Sequence, residues 1–215
     1  VRPMRVFANR TAQFDAAIRR AGRLAALGRA VLLVTDSVQD TQRLAAACAA
    51  ARLAVTELSA PHEAIEARVI AEAGQPGRIT VTTQMAGRGT DIALSGRVRD
   101  AGGLHILSLQ HNRSARVDRQ VAGRAARRGD PGSFECWIRL DDSPLAPARL
   151  PMALRPLGWL AARAARTGRG QERAATLLLR AWQYWCEHDD RDRRSRLDRH
   201  DRHWSRALSF TRIKV

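Results

Sequence analysis

The chain has 215 residues, with 37 Lys or Arg against 21 Asp or Glu, so its formal net charge is +16. This charge favours anionic partners such as a nucleotide, nucleic acid or an acidic lipid surface. The chain has 3 widely spaced cysteines, which argues against a secreted disulfide framework. No run approaches the roughly 20 apolar residues that span a bilayer, so a cytoplasmic location is expected.

Strand-like and helix-like segments alternate through the first 145 residues. Phe14, Ile18 and Leu24 recur at helical spacing within 12–28, and the continuous apolar run at 30–34 is typical of a buried parallel strand. Further strands are predicted at 53–58, 78–83, 104–109 and 134–140, and further helices from a cap at Asp36 or Ser37 to about Ala51, at 62–73 and at 114–128. This alternation predicts an α/β fold, with a parallel sheet covered by helices on both faces and ligands at the carboxyl ends of its strands.

The composition changes after residue 145. Prolines at 144, 147, 151 and 156 predict a linker with little helix, and the chain beyond it has the pattern of an α-helical tail. Leu178, Trp182 and Trp185 recur at four- and three-residue spacing, so this face of the tail is expected to dock on the sheet. These features divide the chain into a domain at 1–145, a linker at 146–158 and a helical tail at 159–215.

A glycine-rich segment, Thr83-Gln-Met-Ala-Gly-Arg-Gly-Thr-Asp-Ile92, follows the strand predicted at 78–83 and so belongs at the carboxyl edge of the sheet. Glycine lets the backbone approach a ligand closely, and the fork of donors on arginine fits phosphate. We interpret the centre of this segment as a nucleotide-contacting loop; the alternative is a tight turn in which Asp91 caps a helix. The loop residues are Gly87, Arg88, Gly89, Thr90 and Asp91.

A second segment, Gln120-Val-Ala-Gly-Arg-Ala-Ala-Arg-Arg-Gly-Asp-Pro-Gly132, places Gln120 and Gly123 ahead of two arginines. Positions three apart share one face of a helix, so Arg124 and Arg127 can reach a single γ-phosphate bound on a facing domain. There they would stabilise the charge of the transition state as arginine fingers do. The alternative is a pair of solvated arginines in an arginine-rich chain.

Together the two segments resemble motifs V and VI of the superfamily-2 helicase-type ATPases. The sequences Met-Ala-Gly-Arg-Gly-Thr-Asp-Ile and Gly-Asp-Pro-Gly resemble those of the SecA family of bacterial preprotein translocase motors. The chain departs from that family's best-known members at Gln110–Arg116, where they have Glu-Arg-His-Glu-Ser-Arg-Arg, and at Ala125-Ala126, where they have Ser-Gly. Combined with the short helical tail, these departures suggest a divergent short SecA-like paralogue. The family's preprotein cross-linking domain and first nucleotide-binding domain have no counterpart in these residues, so the chain also resembles the C-terminal portion of a longer protein or a truncated gene.

This resemblance implies a RecA-like second motor domain, with the tail as a scaffold-like helical segment. It implies ATP as cofactor, with Mg²⁺ held mainly by a first nucleotide-binding domain, because a P-loop needs a lysine and the only lysine here is Lys214. The expected partners are that domain, unfolded preprotein and an inner-membrane translocation channel, with an anionic lipid surface as a further candidate. The location implied is cytoplasmic and peripheral at the inner membrane, and the isolated chain is expected to be inactive.

Two other classes stay open from the residues alone: the C-terminal domain of a superfamily-2 nucleic-acid helicase, and a non-catalytic basic binding module. Asp141 and Asp142 follow an apolar strand as a magnesium-binding acidic pair would, although the Ser-Pro after them favours a turn. Cys186 with His188, and His200 with His203, do not have the spacing of a four-ligand metal set, so a solvated helix face is preferred and no metal site is predicted.

Overall fold

The computed structural model describes residues 4–58, 69–83, 91–125, 129–141 and 143–209, with the backbone alone at 199 and 201–209. The strands are β1 Arg5–Phe7, β2 Val31–Thr35, β3 Val55–Leu58, β4 Ile79–Thr83, β5 Leu104–Ser108 and β6 Gly132–Arg139. The helices are α1 Arg10–Ala26, α2 Val38–Ala50, α3 Gly96–Asp100, α4 Ala115–Ala122, α5 Arg155–Thr167 and α6 Gln171–Ser209. Short 3₁₀ turns lie at Gly123–Ala125, directly after α4, and at Met152–Leu154, directly before α5.

Within the described residues, the strands form one sheet in the order β1-β6-β5-β2-β4-β3, and every neighbouring pair is parallel. Their carboxyl ends therefore meet at one edge, where Thr35, Thr83 and Ser108 end β2, β4 and β5. The predicted strands are confirmed to within two residues at each end. β1 was not predicted, because three residues are too few to show a periodic pattern.

Helices cover both faces of this sheet, as the near-continuous apolar strands predict. Alternate residues of β2 show this: Val31 and Leu33 belong to the core cluster that includes α1 and α2, while Leu32 and Val34 belong to the cluster on the other face that includes α5 and α6. Asn9 caps α1 and Ser37 caps α2 through side-chain oxygens, which satisfies backbone N–H groups of the first turn. The RecA-like α/β architecture is therefore confirmed. Of the helix predicted at 62–73, only 69–73 lie among the described residues, and these are helical.

The tail is helical, as predicted, and its α5–α6 pair packs against β1 and the sheet. Leu178 and Trp182 are buried, which confirms the docking face, but Trp185 is 40% exposed, so its predicted burial is wrong. The buried positions 175, 179, 182 and 186 recur at four- and three-residue steps, and the centre of that stripe leaves Trp185 at its margin.

The proline-containing segment packs closely on the body of the molecule. Leu145 and Leu150 are buried in the same core cluster as Leu178. Helix α5 begins at Arg155, inside the stretch for which the prolines predict little helix, because Pro156 occupies the first turn, where a missing N–H costs no hydrogen bond. The division of the chain at 145 and 158 stays a prediction.

Candidate functional site

The first arginine–glycine segment leaves the sheet at Thr83, the last residue of β4. Gly87, Arg88, Gly89 and Thr90 lie outside the described residues, so their nucleotide-contacting role stays a prediction. Asp91 is exposed where the described chain resumes. Beyond it the chain crosses Gly74 so closely that a Cβ there would lie 1.9 Å from the carbonyl oxygen of Ala93. Ser95 also donates its N–H to the Gly74 carbonyl over 3.2 Å, so the chain just beyond this segment is fixed to the turn that follows the helical residues 69–73.

The second segment begins in the last turn of helix α4 and continues through the 3₁₀ turn that follows it. Gln120 and Gly123 are exposed and Arg124 is partly buried within that turn. A Cβ at Gly123 would meet no atom within 4 Å, so an external group can approach the backbone here. The helix predicted at 114–128 is α-helical over 115–122 and tightens at 123–125. Arg127 lies outside the described residues, and the face it shares with Arg124 stays a prediction.

The Gly-Asp-Pro-Gly turn holds the end of the second segment against the sheet. A Cβ at Gly132 would lie 1.7 Å from the carbonyl oxygen of Ala125, and one at Gly103 would lie 1.6 Å from that of Pro131. These positions require glycine because neighbouring backbone occupies the space of a side chain. Asp130 adds an ion pair with Arg99 over 2.8 Å. The turn that carries Arg124 is therefore packed directly on the start of β6.

Acidic side chains at the carboxyl ends of β1 and β6 are engaged with arginines. Asp141 accepts the N–H of Arg10, the first residue of α1, over 2.7 Å and lies 3.4 Å from Nε of Arg139. Buried Asp40 accepts Nη1 of Arg139 over 3.1 Å. Asp141 thus binds the first N–H of α1 within an ion-pair network, and Asp142 lies outside the described residues. Over the described ranges, no group of three or more His, Cys, Asp and Glu residues is placed to hold a metal ion.

The tail residues considered as metal ligands point in different directions. Cys186 is fully buried, and burial raises the pKa of its thiol. His188 is exposed and stacks on Tyr184 at 6.4 Å between ring centroids. The two side chains therefore do not converge on one ion.

Helix α6 supplies contacts to the first part of α4 and to the residues just before it, and sequence patterns did not indicate them. The carboxylate of Asp118 in α4 accepts hydrogen bonds from Nδ2 of Asn112 and Nε2 of Gln183, each over 2.5 Å. The carboxylate of Glu187 accepts one from Oγ of Ser114 over 2.8 Å. Burial raises the pKa of Asp118, and the two donated hydrogen bonds oppose that rise. Gln183 and Glu187 lie about 70 residues beyond their partners, so no local spacing could have predicted these pairs.

A parallel sheet covered by helices on both faces, with an arginine–glycine segment leaving its carboxyl edge at Thr83, is the architecture of the RecA-like helicase-type domains. The DEAD-box protein SrmB of E. coli, solved bound to regulator of ribonuclease activity A, superposes with a TM-score of 0.51 over 66% of this chain and 79% of that chain. Its sequence is 18% identical, so this likeness shows the fold alone.

The family is shown by sequence. The family model described as the SecA P-loop domain matches residues 2–99 and 95–147, which include the whole sheet. The chain belongs to the SecA family. It is 41% identical over 167 residues to Protein translocase subunit SecA 2 of Magnetococcus marinus, covering 75% of this chain and 26% of that protein.

Protein translocase subunit SecA of Nitratidesulfovibrio vulgaris is 40% identical over 140 residues, covering 65% of this chain and 17% of that protein. For SecA 2 of Bordetella avium the identity is 41% over 160 residues, covering 74% and 24%. The chain thus spans about a sixth to a quarter of the length of these relatives. Among the described helices, none combines the length and apolar character needed to cross a membrane.

Proposed function

We propose that this chain is the second RecA-like motor domain of a SecA-type ATPase, which couples ATP binding and hydrolysis to export of unfolded preproteins through an inner-membrane channel. The observation that carries the proposal is the SecA family match across the entire parallel sheet. The second arginine–glycine segment packs beside the start of β6, and the first leaves the sheet at its carboxyl edge after β4. Ligands of open α/β sheets bind at that edge.

In this proposal Arg124 and Arg127 act on the γ-phosphate of ATP bound to a first nucleotide-binding domain. The exposed Gly123 and Gln120 beside Arg124 support it, because they leave a surface open to a phosphate presented from outside. Guanidinium groups stabilise the charge that develops as the γ-phosphoryl group is transferred. Gly87, Arg88, Gly89, Thr90 and Asp91 would complete the nucleotide contact from the neighbouring segment.

The first nucleotide-binding domain would contribute the parts that these residues do not provide. A P-loop reaches the β- and γ-phosphates with a lysine, and the only lysine in the 215 residues is Lys214. ATP and its Mg²⁺ would therefore be held mainly by that domain, and the isolated chain would not turn over ATP. The net charge of +16 suits a cytoplasmic protein that also rests peripherally on an anionic inner-membrane surface.

The preprotein assignment is tested by joining the chain to the first nucleotide-binding domain of a SecA-family relative and measuring ATP turnover with two candidate tracks. We expect an unfolded preprotein with inner-membrane channel vesicles to raise kcat. A single-stranded or duplex RNA should leave kcat unchanged. Both tracks would be tested at several salt concentrations, because phosphate binding is strongly salt-dependent. Stimulation by RNA alone would assign the domain to a nucleic-acid motor and contradict the proposal.

A further inference from the structure

Helix α6 contacts the run from 111 to 118 through successive turns. Trp182 packs edge-on to His111 with ring centroids 5.2 Å apart, and Arg113 pairs with Asp190 over 2.9 Å. From residue 182 to residue 190 the helix rises about 12 Å. One side of α6 therefore lies along residues 111–114, which lead into α4, and along the first turn of α4.

Glu187 neutralises the N-terminus of α4 from outside that helix. Its Oε1 accepts Oγ of Ser114, the N-cap residue, over 2.8 Å and the backbone N–H of Ala115 over 3.2 Å. Oγ of Ser114 in turn accepts the N–H of Arg116 over 3.3 Å. The first N–H groups of a helix lack partners within it, and a carboxylate there also interacts favourably with the helix dipole.

Gln183 fixes the next turn of α4. Its side chain is 6% exposed, and Nε2 donates both to Oδ2 of Asp118 and, over 3.0 Å, to the carbonyl of Asn112. Both hydrogens of this amide nitrogen are thereby used. A half-buried carboxylate that loses one of its donors bears part of a desolvation cost, so Gln183 and Asp118 hold each other in place.

The far end of α4 is also fixed, because the Ala125 carbonyl rests on Gly132. Helix α4 is thus held at its start by α6 and at its end by β6, with Arg124 in the turn between its last residue and that contact. We propose that Gln183 and Glu187 are positioning residues that set where Arg124 lies, so that the placement of α6 controls the proposed arginine finger. This inference rests on the proposed function.

The first arm of the test uses the 215-residue chain and hydrogen exchange. Glu187→Ala should speed exchange of the α4 amides by about 2- to 30-fold, the range that loss of a helix cap produces, while β2 amides keep their rates. Glu187→Gln retains an acceptor oxygen and should fall between Glu187→Ala and the unchanged chain. Glu172→Ala is the matched control, because Glu172 lies in the first turn of the same helix. Equal α4 exchange in Glu187→Ala and Glu172→Ala would overturn the inference without touching the proposed function.

The second arm measures ATP turnover of the chain joined to a first nucleotide-binding domain. Glu187→Ala and Gln183→Ala should each lower kcat at least about threefold with KM for ATP nearly unchanged, because misplacement of a catalytic group weakens the transition state. Glu187→Gln should restore part of kcat, and Glu172→Ala should leave it intact. If α4 loosens and Arg124→Ala lowers kcat, but kcat of Glu187→Ala stays unchanged, α6 does not position the arginine. If Arg124→Ala itself leaves kcat unchanged, the proposed function fails and this inference fails with it.

Discussion

Replacing Arg124 by alanine in the joined motor is expected to lower kcat by on the order of 10³ while the affinity for ATP stays nearly constant. An arginine finger acts mainly on charge that develops in the transition state, so its loss appears in kcat and in kcat/KM alike. Arg124 is partly buried in a turn fixed on β6, so the alanine variant should keep its fold. Single-turnover and steady-state phosphate release, together with nucleotide binding measured separately, would separate the two effects.

The matched control is Arg119→Ala, which removes an exposed arginine from the last turn of α4, the helix just before the turn that carries Arg124. It lowers the net charge by the same amount and should change kcat less than about twofold, since exposed surface charges contribute little. If kcat falls equally in the two variants, the effect of Arg124→Ala comes from the loss of one positive charge and not from a specific contact with the phosphate. A rise in KM with kcat intact would mean that Arg124 binds the ground state and is not a finger.

Gly132→Ala is expected to destabilise the chain by more than about 3 kcal/mol or prevent folding, a loss at the upper end of single-residue effects. The new methyl group would lie 1.7 Å from the Ala125 carbonyl oxygen and 3.1 Å from that of Leu104. Both are backbone atoms, so relief requires moving the turn of Arg124 or the β5–β6 pairing. Urea unfolding followed by circular dichroism would give the free energy of unfolding of each variant.

Gly96→Ala provides the control for this prediction. Gly96 is the first residue of α3, and a Cβ there would meet no atom within 4 Å. Alanine lowers the entropy of the unfolded chain, so this variant should be unchanged or stabilised by up to about 1 kcal/mol. If Gly132→Ala unfolds at the same urea concentration as Gly96→Ala, the close packing of the Gly-Asp-Pro-Gly turn on Ala125 is wrong.

Local patterns predicted most of the sheet, because its strands are short apolar runs bounded by turn residues and its helices begin at recognisable caps such as Ser37. The resemblance carried by 83–92 and 120–132 predicted the SecA family, which the family match confirms. The three-residue strand β1 and the placement of α5 depend on tertiary pairing, which a local window does not contain. The exposure of Trp185 depends on where the docked stripe of α6 is centred, and spacing alone did not fix that.

The candidate site was predicted less completely than the fold. Sequence indicated Arg124, Gln120 and Gly123 through their motif, and these residues lie beside one another on the surface at the end of α4. It did not indicate Gln183 or Glu187, because their partners Asp118 and Ser114 are distant in sequence and the pairing exists only once α6 docks. Mixed Asp and Arg residues around Glu187 have the pattern of an ordinary solvated helix face. Nothing in the local sequence distinguishes Glu187, which caps α4, from the other charged residues around it.

The central claim is that this chain supplies one half of a composite ATPase site, and phosphate release measures it most directly. The purified 215-residue chain should release no more phosphate than its Arg124→Ala variant, whereas the chain joined to a first nucleotide-binding domain with an intact P-loop should turn over ATP. Turnover by the chain alone that Arg124→Ala abolishes would mean that the whole site lies within these residues. Such a result would contradict the half-site account.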